Sequence, residues 1–235
     1  AAGSYYIENL TISIAEQAWK LFLEVEDKGG FYAALKEGFI QQTVNASAEA
    51  RHMAIARRKE ILVGTNQYPN INEKAADKIK DKASCGCCGG ESHKCQPDFE
   101  TLRLATEKSD KQPVVFMLTI GNLAMRLARS QFSGNFFGCA GYKIVDNLGF
   151  NTIQEGVDAA IEAKADIVVL CSSDDEYATL APEAKAALGD KAILVVAGAP
   201  ECMEELKAQG IDHFINVRSN VLDTLKAFNA KLSIH

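Results

Sequence analysis

The residues with the clearest capacity for chemistry are a group of thiols and one imidazole near the middle of the chain. They are Cys85, Cys87, Cys88, His93 and Cys95. Four such donors suffice for a tetrahedral zinc site. Their spacing differs from the paired Cys-x-x-Cys of a zinc ribbon, however, and glycine and lysine surround them. We therefore predict a thiol-bearing linker without metal ligands, and a metal site is the alternative.

A second candidate is the loop that follows the apolar run at residues 114–118. Such a run, β-branched at its start, is typical of a strand buried on both faces of a parallel sheet. The chain then turns at Gly121-Asn122 and continues at residues 123–129 as an apolar-periodic segment of good helix formers. In open parallel sheets, ligands usually bind beside the loop after the first strand. This loop therefore bears most directly on function.

Composition excludes several classes of protein. The 235 residues are 47% hydrophobic and carry a net charge of -6, which disfavours nucleic acid and anionic membranes as partners. No apolar run approaches the roughly 20 residues that span a bilayer. The seven cysteines are an odd number and several lie in apolar segments, so we expect a cytoplasmic protein. The chain does not begin with Met, which fits a processed or truncated piece of something longer.

Residues 1–68 are predicted to be mainly helical. Ser13 is a favourable N-cap for a first long helix, residues 31–37 and 46–59 form two more, and residues 61–63 could be a strand. The apolar residues of the first helix share one face and are Ile14, Ala18, Leu21, Phe22 and Val25. This region is too short and too one-sided to close its own core, so we expect it to pack on something else.

Residues 69–112 are predicted as a linker, since they carry Pro69, many Lys and Asp, and the cysteine cluster. One helix is expected within this linker, at residues 99–107.

From residue 113 onward, strand and helix patterns alternate. The predicted strands are residues 114–118, 144–145, 167–171, 193–196 and 213–216. Between them, Thr152 with Glu155 forms a capping box, Asp174 begins a helix with Pro182 near a break, and Pro200 opens another helix. Ser219 is expected to cap the last helix. Five βα units predict an α/β fold, a doubly wound five-stranded parallel sheet of flavodoxin-like strand order.

Two stretches resemble the methylmalonyl-CoA mutases. Residues 3–11 (Gly-Ser-Tyr-Tyr-Ile-Glu-Asn-Leu-Thr), with Glu-Gln-Ala-Trp-Lys at residues 16–20, resemble the late part of the mutase barrel. Residues 137–147 (Phe-Gly-Cys-Ala-Gly-Tyr-Lys-Ile-Val-Asp-Asn) resemble the small, non-catalytic subunit of the heterodimeric bacterial enzymes. The resemblance covers nearly the whole chain apart from the cysteine-rich linker.

The resemblance implies three parts of the chain. Residues 1–68 would be the C-terminal remnant of a (β/α)8 barrel, residues 69–112 a linker, and residues 113–235 a cobalamin-binding-like domain. It also implies a large catalytic subunit as the partner in a heterodimer.

The family's cobalamin domain carries Asp-x-His-x-x-Gly after its first strand, and the neutral imidazole of that motif coordinates cobalt. The four histidines of this chain are His52, His93, His213 and His235. None of them lies between residues 114 and 149. Counting back from Gly141 places the ligand position near Arg126, whose guanidinium has no lone pair to offer. We therefore expect adenosylcobalamin to be bound by the partner subunit, with no cofactor-binding or catalytic residue on this chain.

Other positions of the family's pocket have also changed. Its Ser-x-Leu after the third strand corresponds to Cys171-Ser172-Ser173, and three carboxylates, Asp174-Asp175-Glu176, follow. Carboxylates are a poor lining for a buried nucleotide tail, because their desolvation is costly. The family's Gly-Gly after the fourth strand is Gly198-Ala199 here, and the bulkier second residue is expected to narrow the pocket.

The remaining polar residues have structural interpretations that we favour. Cys139, Cys171 and Cys202 are predicted as core residues and His213 as a rim or core residue rather than a base. The carboxylates at residues 174–176 are predicted to be a solvated helix cap. The basic residues of the third helix, Arg51, Arg57 and Arg58, are predicted to form a solvated face. Contact with a CoA phosphate or a partner subunit is the alternative for them.

The predicted function is that of a mutase small subunit with a scaffold and interface role. The complex would interconvert methylmalonyl-CoA and succinyl-CoA. Two alternatives stay open: a corrinoid-binding module without a histidine ligand, and a stand-alone flavodoxin-like regulatory domain. The barrel-like segment at residues 3–11 disfavours the stand-alone regulatory domain. The fold alone does not distinguish these functions, because doubly wound sheets host many of them.

Overall fold

The computed structural model describes residues 2–74, 76 and 98–234, which form two compact units that divide between Met53 and Ala54. The cysteine cluster at residues 85–95 lies outside the described residues, so its interpretation as a metal-free linker stays a prediction. Within the described ranges, no helix has the length and apolar character needed to cross a membrane.

The first unit contains helices α1 (Tyr5–Asp27) and α2 (Phe31–Lys36) and most of α3 (Phe39–Ala56). The predicted N-cap at Ser13 is wrong, because α1 begins earlier and Ser13 lies inside it. Ser4 holds the extended N-cap position, and Glu8 in the first turn interacts favourably with the helix dipole. No residue of α1 is buried, so its apolar side chains are exposed as the sequence predicted.

Residues 54–68 belong to the second unit, which therefore begins before the predicted domain boundary at residue 68. The strand predicted at residues 61–63 is wrong, since this segment makes only a single bridge, between Val63 and Gln67. The buried side chain of Asn66 organises the segment as a loop instead. Its amide group donates to the Ile55 and Glu60 carbonyls at 2.8 and 2.9 Å and accepts from the Leu62 N–H at 2.8 Å.

The second unit is built on one parallel sheet. Its strands are β1 (Val114–Thr119), β2 (Lys143–Val145), β3 (Ile167–Cys171), β4 (Ile193–Ala197) and β5 (His213–Ile215). The strand order is β2-β1-β3-β4-β5, and Val115 of β1 pairs with Ile144 on one side and Ile167 on the other. This is the flavodoxin-like order. The predicted fold class is confirmed.

Helices cover both faces of this sheet. They are α4 (Asp98–Lys108), α5 (Leu123–Gly138), α6 (Ile153–Glu162), α7 (Tyr177–Leu188), α8 (Met203–Ala208) and α9 (Val221–Lys231). One apolar core joins the sheet to α4, α5 and α9, and a second joins it to α6, α7 and α8. Both faces of β1, β3 and β4 are thus buried, which explains their unbroken apolar runs.

Several predicted helix boundaries differ from the structure, among them the start of the third helix, which is Phe39 and not residue 46. Residues Asp174–Glu176 form a 3-10 turn before α7, and Pro182 lies inside α7 without breaking it, because Ala181, Ala184 and Leu188 anchor that helix in the core. Helix α8 begins only at Met203, after Pro200. Asn220, not Ser219, caps α9, and its side-chain oxygen accepts from the Asp223 N–H.

Candidate functional site

The carboxyl ends of β1 and β3 meet at the edge where the strand order reverses, the usual position of ligands in this fold. Thr119 and Cys171 pair at these two ends, and the Ile120 N–H extends the pairing to the Cys171 carbonyl at 3.1 Å. A groove of about 460 Å³ opens there. Its lining residues are Ile120, Gly121, Arg126, Phe150, Asn151, Glu176, Thr179 and Leu180.

Gly121, in the loop after β1, is in close contact with Glu176 from the loop after β3. The φ angle of Gly121 is +78°, in the left-handed region that favours glycine. A Cβ at this position would lie 2.6 Å from Ser172 Oγ and closer still to Glu176 Oε2. The carboxylate therefore fills the space that any other residue at position 121 would need.

The Glu176 carboxylate is held in place by its own loop. It accepts hydrogen bonds from the hydroxyls of Ser172 and Ser173, the second at 2.8 Å, and from the Ser173 N–H at 3.3 Å. These bonds, that of Ser172 foremost, lower the pKa of Glu176 below its usual value because they stabilise the charged form. Glu176 is therefore ionised at neutral pH. It caps the turn that begins at Ser173, as predicted, and it is in addition bonded to the Ser172 hydroxyl.

Arg126, near which the cobalt ligand was placed by the resemblance, lies over Gly149 in the loop after β2. A Cβ on Gly149 would be 2.5 Å from Arg126 Cζ. The guanidinium donates to the Leu148 carbonyl at 3.0 Å and to the Gly121 carbonyl at 3.3 Å. Its Nε is buried without a partner among the described residues. Arg126 thus joins the loops that follow β1 and β2.

A third charged group lies beside Gly198, at the end of β4. Nη2 of Arg129 donates to both carboxylate oxygens of Asp174, at 3.0 Å each. A Cβ on Gly198 would be 2.6 Å from Asp174 Oδ1 and 3.0 Å from Tyr177 Cε2. Asp174 thus remains partly solvated at the start of its turn, as predicted, and is in addition the ion-pair partner of Arg129. Ala199, predicted to narrow this place, is exposed, and Asp174 occupies the space instead.

Asp146 and Asn147, which end the stretch at residues 137–147, accept hydrogen bonds from neighbouring elements at the same edge. The Ser130 hydroxyl donates to Asp146 Oδ1 at 2.7 Å, and the Thr119 hydroxyl donates to Asn147 Oδ1 at 2.5 Å. Both bonds attach the loop after β2 to its neighbours, so these two side chains are engaged with the protein itself.

Among the residues that the structure describes, no imidazole lies at this edge to ligate the cobalt of a corrinoid. Of the histidines that the structure describes, His52 lies in α3 and His213 begins β5, which places His213 at the amino edge of the sheet. Neither belongs to the loops around the groove. Over the same residue ranges, no three His, Cys, Asp or Glu side chains are grouped so that they could hold a metal ion.

The prediction that Cys139, Cys171 and Cys202 are core residues is confirmed for the first two. Cys139 and Cys171 are buried in the core, whereas Cys202 is only partly buried against it. Burial raises the pKa of the Cys171 thiol to about 12 and also raises that of Cys139. Both thiols are therefore protonated at neutral pH and chemically inert.

His213 is a half-buried rim residue, as predicted. Its Nε2 lies 2.7 Å from Lys231 Nζ. Burial, followed by the charge of Lys231, lowers the pKa of His213, while Asp212 opposes the shift. The imidazole is therefore neutral at pH 7 and can accept a hydrogen bond from Lys231.

The prediction of a solvated basic face is wrong for Arg58, which lies after the end of α3. Its φ angle is +56°, and its guanidinium packs over the rings of Phe132 and Phe136 in α5. Nη2 donates to the Asn135 carbonyl at 3.1 Å and to Cys139 Sγ at 3.4 Å. Arg58 thus attaches residues 54–68 to α5. Arg51 and Arg57 are exposed, as the prediction required.

Arg129 is the site residue that sequence reasoning missed. Its partner Asp174 is 45 residues away in the chain, and only the approach of α5 to the loop after β3 brings the two together. The single available signal was the spacing of Arg126 and Arg129, which puts them about one turn apart on the same helix.

The strand order and the carboxyl edge of the sheet together define the class of the second unit. It is a flavodoxin-like α/β unit of the cobalamin-domain type, with charged side chains where a ligand would bind. The methylmalonyl-CoA mutase family model matches residues 1–85. The methylmalonyl-CoA mutase small subunit of Porphyromonas gingivalis is 61% identical over the whole chain, which covers 39% of that relative. The chain belongs to the family of methylmalonyl-CoA mutase small subunits, as its sequence predicted.

More distant relatives agree. The small subunit of Propionibacterium freudenreichii subsp. shermanii is 30% identical over 97% of this chain and 36% of its own length. The methylmalonyl-CoA mutase of Rhizobium meliloti is 42% identical over 34% of this chain and 11% of its own length. The chain thus spans about two fifths or less of the length of these curated relatives.

Proposed function

We propose that this chain is part of a mutase small subunit that has a structural role and binds no cobalamin itself. The observation that supports this most directly is the position of Arg126, whose guanidinium lies over Gly149 where the resemblance called for a histidine. The complex would interconvert methylmalonyl-CoA and succinyl-CoA. Adenosylcobalamin supplies the radical chemistry of that rearrangement, and it would be held by the partner subunit.

The partner in this proposal is a large catalytic mutase subunit, joined to the small subunit in a heterodimer. Full mutases of Rhizobium meliloti and Cereibacter sphaeroides match about a third of this chain. That similarity supports a shared ancestry with a catalytic chain.

Residues 1–68 are proposed as the end of a (β/α)8 barrel, followed by the linker at residues 69–112 and the cobalamin-binding-like domain at residues 113–235. The family-model match to residues 1–85 supports the first part. So does α1, a helix without buried residues whose apolar side chains need a covering surface. A stand-alone regulatory domain would have no use for such a helix.

The test is co-expression of the natural full-length small subunit with its large subunit, followed by gel filtration with absorbance read across the corrin bands. We expect co-elution at equal stoichiometry and corrin absorbance only in fractions that contain the large subunit. Replacing the cobalt-binding histidine of the large subunit should abolish that absorbance while both subunits still co-elute. Corrin absorbance on the small subunit alone would instead support the corrinoid-binding alternative, and separate elution would contradict the heterodimer.

A further inference from the structure

Three glycines at the carboxyl edge of the sheet are each covered by a charged side chain of the same chain. Gly121 follows β1, Gly149 follows β2, and Gly198 follows β4. At each of them, an added Cβ would come within 2.6 Å of a carboxylate oxygen or a guanidinium carbon. The space left free by a glycine is what allows a ligand to approach a backbone closely. Here that space is already filled at all three places.

The covering groups are fixed by bonds within the protein. Glu176, over Gly121, is bonded to two serine hydroxyls and a backbone N–H. Arg126, over Gly149, is bonded to two backbone carbonyls. Asp174, over Gly198, is paired with Arg129. A ligand could occupy these spaces only if the side chains moved to other rotamers, and that movement would break these bonds.

The charges of this group balance one another. Two carboxylates, Glu176 and Asp174, and two guanidinium groups, Arg126 and Arg129, lie at this edge, and Asp174 and Arg129 form an ion pair. Displacement of Asp174 would leave Arg129, whose side chain is only 20% exposed, without its ion-pair partner, which is unfavourable.

We propose that the chain's own side chains fill the three glycine spaces beside the groove at this edge, so that the missing histidine is not the only barrier to a corrinoid. Glu176, Arg126 and the Asp174–Arg129 pair act as built-in occupants of the three spaces. The proposal rests on the proposed function, in which this subunit binds no cofactor, and gives that function a physical cause beyond the absent ligand. It follows that an imidazole restored at position 126 would not be enough for binding.

The first test measures the cover over Ser172, which is fully buried beneath Glu176. The Ser172→Cys variant is treated with iodoacetamide. Peptide mass spectrometry then measures the rate of alkylation at residue 172, separately from the other cysteines. In the Ser172→Cys background, Glu176→Ala should accelerate labelling at least about tenfold. Asp175→Ala, which removes the exposed neighbouring carboxylate, should leave the rate unchanged. No acceleration with Glu176→Ala, or equal acceleration with Asp175→Ala, would overturn the proposal.

The second test adds hydroxocobalamin to folded variants and follows the corrin bands. Arg126→His supplies the imidazole and leaves both carboxylates, whereas Arg126→His with Asp174→Ser and Glu176→Ser removes them as well. We expect a stoichiometric spectral change only with the triple variant, with circular dichroism confirming that both variants are folded. Binding by Arg126→His alone, or by neither folded variant, would refute the proposal. The assembly experiment with the large subunit is independent of this result, so the two proposals can fail separately.

Discussion

The hydroxyl of Tyr142 donates a 2.5 Å hydrogen bond to Oδ1 of Asn229, and both side chains are buried in the same core. Tyr142 lies just before β2 and Asn229 lies in α9, so the bond joins parts of the chain that are 87 residues apart. Burial raises the pKa of Tyr142, which keeps the hydroxyl protonated as a donor.

Tyr142→Phe should therefore destabilise the second unit by about 1–3 kcal/mol, because Asn229 is left without its partner in the core. Urea unfolding followed by circular dichroism would measure the change. Tyr68→Phe, at an exposed tyrosine, is the control and should have little effect. Equal effects of the two substitutions would show that the buried bond contributes nothing specific.

Gly121→Ala should cost more stability than Gly210→Ala, although both glycines have a φ angle near +80°. The shared conformational strain is about 1–2 kcal/mol. Nothing lies within 4 Å of a Cβ at Gly210, whereas a Cβ at Gly121 meets Glu176 and Ser172. The difference in unfolding free energy between the two variants measures the contact.

A double-mutant cycle assigns that difference to Glu176. In a Glu176→Ala background, the cost of Gly121→Ala should fall, because the carboxylate no longer occupies the space. An unchanged cost would mean that Ser172 or the backbone alone accounts for the effect.

The sequence was sufficient to predict the sheet of the second unit, because buried parallel strands are continuous apolar runs such as residues 167–171. It was also sufficient to show that no histidine stands near Arg126. It did not predict the helix boundaries at which two residues of similar capping preference lie close together. Ser13 and Ser4 are equally good N-caps by type, and only the helical continuation through residues 5–12 decides between them.

The filling of the glycine spaces at the ligand edge could not be predicted, because it depends on contacts distant in sequence. Arg129 and Asp174 belong to different βα units, and Glu176 meets Gly121 only once β1 and β3 are paired. Carboxylates at a helix start ordinarily face solvent, so the sequence alone predicted the solvated cap and not these contacts.

The pKa of His213 should lie below its usual value of about 6.5. Burial is the first cause and the charge of Lys231 the second, so Lys231→Met should raise this pKa. Asp212→Asn should lower it further, since Asp212 stabilises the imidazolium. NMR titration of the ring protons would measure all three values, and a pKa of His213 that did not respond to Lys231→Met would contradict the assigned contact.

The same shift makes a prediction about stability. Because the folded-state pKa is lowered, His213 contributes stability at neutral pH, and this contribution is lost as the pH falls below about 6.5 and through the folded-state pKa. His213→Gln should therefore show a smaller fall in unfolding free energy over that range than the wild-type chain.

The thiols of Cys139 and Cys171 should resist alkylation in the folded protein at pH 8. Burial raises both pKa values, that of Cys171 to about 12, so the reactive thiolate is scarce and inaccessible. Peptide mass spectrometry after iodoacetamide treatment should find both unmodified, and unfolding in urea should make both react. Modification of either residue in the folded protein at the rate seen in urea would contradict the structure of the core.

Helix α1 should drive self-association of the isolated chain. Its large apolar side chains are exposed, and Trp19 stacks on Phe22 with ring centroids 5.1 Å apart on that surface. Burial of one such side chain is worth about 1.5–3 kcal/mol, so association should be measurable by analytical ultracentrifugation. Leu21→Glu with Phe22→Glu should raise the dissociation constant at least about tenfold, which corresponds to about 1.4 kcal/mol. Lys20→Glu changes the net charge by the same two units without removing apolar surface, and should have a much smaller effect. A wild-type chain that stays monomeric at every concentration, or equal effects of the two variants, would argue against an apolar docking face on α1 and would weaken its assignment as the end of a barrel.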